Sequence, residues 1–187
     1  MTPRLILRDF LPDDAERLAE YFSEREAQAH ILRGQRHPGR TLSYVRMMAR
    51  YAQEVPLASR SRLAWAIALR DTHELVGMCS LSNAHAGSSR ACIGWHLSHK
   101  FSGFGYATEA AREVMRFAFE ERRVARLYAD CYEANAANRR VFAKLGLQPS
   151  PCLALLKWFL AVRYMEPKPI VRYRIENQYL GSAAVAA

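Results

Sequence analysis

Short apolar bursts set between charged residues organise the first half of the chain. Leu5, Ile6 and Leu7 sit between Arg4 and Arg8 and predict a first strand. In LPDDAERLAEYF, Pro12, Asp13 and Asp14 mark a helix start, with acids favoured at its positive end. Ala15, Leu18, Ala19 and Phe22 then fall on one helical face. Arg40 to Tyr51 predicts a second helix, with Tyr44, Val45 and Met48 as its apolar side. The stretch RGQRHPGR between the two helices, with two glycines and a proline, reads as loop. LAWAIAL (Leu63 to Leu69) and LVGMCSLSN (Leu75 to Asn83), separated by the turn RDTHE, predict a hairpin. After the turn HAGSSR, ACIGWHL (Ala91 to Leu97) predicts the third strand of a meander.

The period then changes. Ala107, Ala110, Ala111, Val114, Phe117 and Ala118 form a helical apolar stripe, with Glu109, Arg112, Glu113 and Arg116 on the rest of the surface. RLYADCYE (Arg126 to Glu133) returns to strand character, with aromatics suited to a sheet. ANAANRRVFAKLGL predicts a short helix with Asn135 as N-cap and Gly146 as its stop. LALLKWFLAVRY and IVRYRIE read as two more strands around the proline turn MEPKP. The order is strand, two helices, three strands, helix, strand, helix, two strands, which makes one mixed α/β domain.

The composition alters this picture little. The chain has 187 residues, enough for one domain with a substantial core. The formal charge of +9 attracts anions, but no basic run is long and no nucleic-acid motif occurs, so phosphate contacts and solubility account for it better than dedicated nucleic-acid binding. The four cysteines (Cys79, Cys92, Cys131 and Cys152) make no C-x-x-C pair, and MTPRLILRDF lacks the apolar stretch of a signal peptide. Free thiols in a reducing cytoplasm are the expectation. The apolar run from Leu153 to Val162 is broken by Lys157 and falls short of the ~20 residues a membrane span needs.

The chemistry gathers at FSGFGYATEA, between the third meander strand and the helix. Unpaired N–H groups at a helix start form an anion site. Gly103 and Gly105 permit φ > 0 and a close approach, and Ala107 and Thr108 keep the entrance narrow, an arrangement suited to a pyrophosphate. Taken alone, the two glycines fit a tight strand-to-helix turn equally well. Position 108 is Thr, so the G-x-G-x-x-G dinucleotide fingerprint is absent, and the Gly-Lys-Ser/Thr of a P-loop is absent too.

The joint resembles the acetyl-CoA loop of the GCN5-related N-acetyltransferases, Q/R-x-x-G-x-G/A, written in this chain as Lys100-Phe101-Ser102-Gly103-Phe104-Gly105. RLILRDFLPDDAERL, ELVGMCSLSN, CIGWHLSHKFSGFGYATEA and YEANAANRRVFAKLGL follow in the family's order and are most similar to its branch of ribosomal-protein and other protein N-terminal acetyltransferases. The resemblance covers residues 4–148. It implies a central, mostly antiparallel sheet splayed between the fourth and fifth strands and flanked by helices. The absence of repeats and linkers makes residues 1–180 a single domain, and the small, weakly hydrophobic residues of 181–187 read as a flexible tail. The resemblance also implies acetyl-CoA as cosubstrate and an amine acceptor of a protein or peptide, while the residues themselves point to no metal and no membrane partner. A small amine or aminoglycoside-like acceptor, or a non-catalytic acyl-CoA-binding module, are the alternatives. The apolar C-terminal strands would allow a homodimer.

The resemblance further implies roles. The pantetheine arm would lie between the splayed strands 91–97 and 126–132, held by Leu97 and Ser98. Ser102, Gly103, Phe104, Gly105, Tyr106, Ala107 and Thr108 would cradle the pyrophosphate, with Asn135 and Asn138 on the arm's other side. Lys100, Arg139, Arg140 and Lys144 are candidates for the remaining phosphate, or simply a solvated basic face. The backbone N–H of Leu97 would meet the oxyanion. Many relatives carry Glu where this chain has Cys92, and Tyr where it has Phe142. His96 is therefore the first candidate base and Glu133 the second, with a water relay as a third option. Strand alternation puts His96 on the face of Cys92 and Gly94 unless a bulge intervenes; a packing or surface histidine is the plain alternative. His96 and His99 form H-x-x-H without a third ligand. Trp158, Phe159, Tyr164 and Tyr173 would line the acceptor pocket or the core.

Overall fold

The computed structural model describes residues 2–23, 38–150 and 169–178. Among these residues seven strands form one sheet in the order β1-β2-β3-β4-β5-β7-β6. They are β1 (Leu5–Arg8), β2 (Arg62–Leu69), β3 (Leu75–Ser82), β4 (Ala91–Leu97), β5 (Arg126–Tyr132), β6 (Gln148–Pro149) and β7 (Ile170–Glu176). Every pairing is antiparallel except β4 with β5.

Helices cover both faces. α1 (Asp14–Ser23) and α2 (Pro38–Glu54) pack on one of them, where Leu18, Phe22, Val45 and Met48 meet Ala64, Ala66 and Met78 of the sheet. The predicted face of α1 (Ala15, Leu18, Ala19, Phe22) is the buried one. A fully buried Leu or Phe contributes about 1.5–3 kcal/mol, so this face alone accounts for the helix's position. α2 starts two residues earlier than the pattern predicts, and Pro38 and Gly39 belong to it rather than to the loop. Proline suits a first helical turn because its missing N–H would have no partner there.

The opposite face carries α3 (Tyr106–Arg116) and α4 (Ala136–Lys144). Ala110, Ala111, Val114 and Phe142 pack with Ile93, Trp95 and Leu127. α3 runs on into a π-helical turn at Phe117–Glu121, which the predicted stripe does not anticipate. The stop at Gly146 is a left-handed residue with φ 78°. The two-residue β6 was not predicted. The strand expected in LALLKWFLAVRY, and the tail 181–187, lie outside the described residues.

Two features of the sheet prepare a site. β4 and β5 pair only at Ala91↔Leu127 and Cys92↔Tyr128, and beyond Cys92 the ladder stops. β3 and β4 stay in register throughout, from Ser82↔Cys92 to Gly77↔Leu97. Gly77 allows that register to reach the end of β4, since a Cβ there would sit 2.2 Å from the His96 carbonyl oxygen.

Candidate active site

The Ser98 N–H donates to the Val76 carbonyl at 2.9 Å. In an antiparallel ladder the bonded positions alternate. Cys92, Gly94 and His96 therefore use their backbone groups on β3, while those of Ile93, Trp95 and Leu97 point the other way. On that side β5 has diverged, so the Leu97 N–H faces an open slot.

The slot widens into a cleft of about 350 Å³. Leu97, Ser102, Gly103, Gly105, Tyr106, Ala107 and Thr108 form one wall, and Asn135, Asn138, Arg140 and Lys144 of the α4 turn form the other. Gly103 (φ 88°) and Gly105 (φ 83°) are both left-handed, a conformation L side chains resist. Gly105 is the N-cap of α3, and the first helical bond is Glu109 N–H to the Gly105 carbonyl at 3.1 Å. The N–H groups of Gly103 through Thr108 have no hydrogen-bond partner among the described residues. With the macrodipole they make the turn an anion site.

Other expected residues sit differently. The Ser102 N–H is committed to the His99 carbonyl at 2.9 Å. The side chain of Ser98 is fully buried, its hydroxyl has no hydrogen-bond partner among the described residues, and it does not line the cleft. The Phe104 side chain is 60 % exposed and stacks on Tyr106 at 5.8 Å. Lys100 pairs with Glu74 at 2.6 Å and lies over the Phe101 ring. Arg139 lines neither cavity, so of the four basic candidates only Arg140 and Lys144 face the cleft.

Asn135 is 3 % exposed and caps α4 as predicted, its side-chain oxygen accepting from the Asn138 N–H at 3.0 Å. The Trp95 Nε1–H donates to the Asn138 side-chain oxygen at 3.2 Å. That bond fixes the amide's orientation and leaves the Asn138 NH2 to donate elsewhere.

A second cavity of about 180 Å³ opens on the other side of the slot, lined by Ser80, Ser82, Cys92, Gly94, Asp130 and Phe142 among others. It shares Trp95, His96 and Asn138 with the first. His96 is the titratable side chain common to both. The unbroken register puts it on the face of Cys92 and Gly94, where its ring meets Phe22 edge-on at 5.5 Å. Burial holds its pKa down at about 4, so the imidazole is neutral at pH 7. Glu133 is exposed and lines neither cavity. Burial pushes the Cys92 thiol up, and the Cys131 thiol up to about 11, which favours the protonated thiol over the nucleophilic thiolate at both.

Phe142 is 1 % exposed, wedged between Trp95 at 5.6 Å and Tyr173 at 4.7 Å. It offers no proton. Tyr173 packs on that core, and Trp158, Phe159 and Tyr164 lie outside the described residues. Among the described residues no cluster of three or more His, Cys, Asp or Glu side chains could hold a metal, and no helix is long and apolar enough to cross a membrane.

Sequence reasoning missed Trp95, Phe22, Arg4 and the Ser80–Ser82 side. Arg4 binds the Phe104 carbonyl at 3.0 Å and Glu109 at 2.7 Å, clamping the glycine turn from a hundred residues away. No local pattern announces such a contact. The serines could have been found by carrying the alternation of β4 across to its partner.

Residues 4–148 match the family model "Acetyltransferase (GNAT) domain". The uncharacterized N-acetyltransferase YoaA of Bacillus subtilis is 28% identical over 148 residues, 79% of this chain and 81% of that protein. The [Ribosomal protein uS5]-alanine N-acetyltransferase of Escherichia coli is 26% identical over 156 residues, 79% of this chain and 76% of its own length. Among solved structures, Mycobacterium smegmatis RimJ in complex with CoA-disulfide superposes with a TM-score of 0.69 at 21% identity, covering 97% of this chain and 86% of that one. A glycine turn with unpaired amides, a slot between parting strands and a family match over most of the chain agree: the protein belongs to the GNAT acetyltransferases and is an acetyl-CoA-dependent N-acetyltransferase.

Proposed function

We propose that the protein transfers an acetyl group from acetyl-CoA to the N-terminal amine of a protein or peptide. The observation that carries this reading is the junction at Trp95, His96 and Asn138, where the cleft beside the glycine turn meets the second cavity. A thioester delivered from one side would there face an amine delivered from the other. The second cavity, at about 180 Å³, is smaller than the ~300–1,000 Å³ of typical small-molecule sites. It suits a chain end better than an aminoglycoside.

The residues present fit acetyl-CoA. The free N–H groups from Gly103 to Thr108 suit the pyrophosphate, and Arg140 and Lys144, one helical turn apart on α4, suit a further phosphate. The outward-pointing backbone of Trp95 and Leu97 can pair with the pantetheine amides as an added strand would. Asn138 NH2 and Leu97 N–H supply donors near the carbonyl, and Leu97 is the proposed oxyanion partner.

Acetyl-CoA supplies an activated carbonyl; the protein must handle a proton. A free α-amine has a pKa of ~7.7–8.0, so a useful fraction is already neutral near pH 8. His96, held neutral, is the proposed acceptor of the N–H proton released on attack. Glu133 would act only through water, from outside the cavities. Phe142 cannot protonate the departing thiolate, so that proton comes from solvent or from the His96 imidazolium formed on attack, while the amide donors already named only hydrogen-bond the sulfur.

The test is direct. Purified protein is incubated with acetyl-CoA and peptides bearing a free or a blocked N-terminus. Release of free thiol, with one acetyl group gained at the free N-terminus only, supports the reading. Transfer to lysine side chains alone, or to small amines alone, overturns it.

A further inference from the structure

Cross-strand pairing carries a row of side chains across five strands: Arg62, Ser82, Cys92, Tyr128 and Arg174 are successive register partners. Paired residues share a face of the sheet. Ser82 and Cys92 line the second cavity, so Arg62 and Arg174 flank it on the same face. The next row along holds Ser80, Gly94 and, beyond the gap, Asp130 opposite Arg172.

Among the described residues of these rows the charges do not balance. Asp130 accepts two bonds from Arg172, each 2.7 Å, and Glu176 is engaged by Arg126 at 2.6 Å. The two carboxylates are thereby neutralised. Among the described residues Arg62 and Arg174 have no ion pair, and Arg90, two residues before Cys92, adds a third cation whose field reaches the Cys92 thiol. Arg62 and Arg90 are exposed and Arg174 is half-buried.

We propose that this face selects acceptors with acidic residues close behind the amine, their carboxylates met by Arg62 and Arg174. The proposal rests on the acceptor entering through the second cavity. Strands lie ~4.8 Å apart, so each arginine is roughly 10 Å from Cys92 across the sheet. An extended chain rises ~3.3 Å per residue, which puts the contact at about the third or fourth residue of the acceptor. Basic peptides and polyamines meet an excess of like charge on the same face.

The experiment compares two peptide series with one N-terminal residue, Asp or Lys occupying positions three to five. It uses the wild-type protein and the double variant Arg62→Gln, Arg174→Gln. Acetyl-CoA affinity is read separately by calorimetry. The expected result is a preference of about tenfold in kcat/KM for the acidic series at low salt. That preference shrinks as salt rises and is lost in the double variant, whose acetyl-CoA affinity is unchanged. Equal use of both series, a preference for the basic one, a salt-independent preference, or no transfer to either despite bound acetyl-CoA would each overturn it. Failure to bind acetyl-CoA would instead remove the functional reading beneath it, and this proposal with it.

Discussion

The indole N–H of Trp95 donates to the side-chain oxygen of Asn138 at 3.2 Å, tying β4 to α4 across the place where β4 and β5 have parted. Both residues line both cavities. Replacing Asn138 with Ala leaves the α4 cap in place, because Asn135 bonds the backbone of residue 138 and not its side chain. It does strand the Trp95 donor, at a cost of about 1–3 kcal/mol. The expected outcome is a small drop in thermal stability and a larger rise in the KM for acetyl-CoA. An unchanged KM would separate Asn138 from the pantetheine wall.

The two glycines of the turn make separable demands. A Cβ at Gly103 would meet nothing within 4 Å, and one at Gly105 would meet an Arg4 side-chain nitrogen at 3.5 Å. The cost of Gly103→Ala is therefore almost purely its left-handed φ, about 1–2 kcal/mol, or roughly 2–4 °C of melting temperature per kcal/mol for a domain of this size. Acetyl-CoA affinity should fall further than that, because a relaxed φ turns the amides of residues 103–105 away from a shared anion. Calorimetric titration with acetyl-CoA beside a thermal melt reads both. A melt that shifts with unaltered affinity would reduce the turn to geometry alone.

Much of this site was legible in the sequence because its parts are local. A glycine pair between strand and helix, Asn135 as a cap, and the strands 91–97 and 126–132 are each set by residues within a few positions of one another, and each lies where its pattern put it. The parting of β4 and β5 came from family resemblance, not from periodicity. What stayed hidden depends on distant partners. Nothing near Ser102 reveals that its N–H is spent on His99 within a short 3-10 turn, and nothing near Lys100 reveals Glu74. The π-helical turn after Arg116 was also hidden, since one extra residue per turn barely disturbs an apolar stripe; Asn177, from the end of β7, meets the carbonyls of Phe119 and Val124 around it.

Burial of His96 makes a pH prediction of definite sign. Its folded pKa of about 4 lies below the ordinary value of about 6.5. Above pH 6.5 both folded and unfolded chains hold it neutral, and stability is complete. As pH falls toward 4, the unfolded chain takes up a proton that the folded one refuses, and stability is lost by at most about 1.4 kcal/mol per pH unit, less for the part of the ring that water reaches. His96→Gln should flatten the stability profile between pH 4 and 6.5. In kinetics, the wild type should show no inflection near 6.5 in kcat/KM, only a rise with deprotonation of the acceptor amine near ~8. The variant should keep that rise at a lower plateau. An inflection near 6.5 that disappears in His96→Gln would show the ring titrating in its usual range.

Arg4 and Glu109 supply the last prediction. Glu109 accepts from the Thr2 hydroxyl at 2.7 Å, the Arg4 backbone N–H at 2.8 Å and Arg4 Nε at 2.7 Å. Partial burial pushes its carboxyl up, but these bonds outweigh that and hold it below the usual range. Arg4 also donates to the Phe104 carbonyl at 3.0 Å and lies 4.7 Å from the Tyr106 ring centre. One guanidinium thus joins the edge strand, the first turn of α3 and the middle of the glycine turn. Arg4→Ala should raise the KM for acetyl-CoA about tenfold, the worth of one charge-assisted bond, while kcat at saturation holds, because Arg4 lines neither cavity. Arg4→Lys keeps the charge beside Glu109 but cannot fork to Phe104 as well, so its KM should lie nearer that of Ala than of the wild type. Equal KM values for Lys and Arg would mean that charge alone matters at this position, and that the contact with Phe104 does not order the turn.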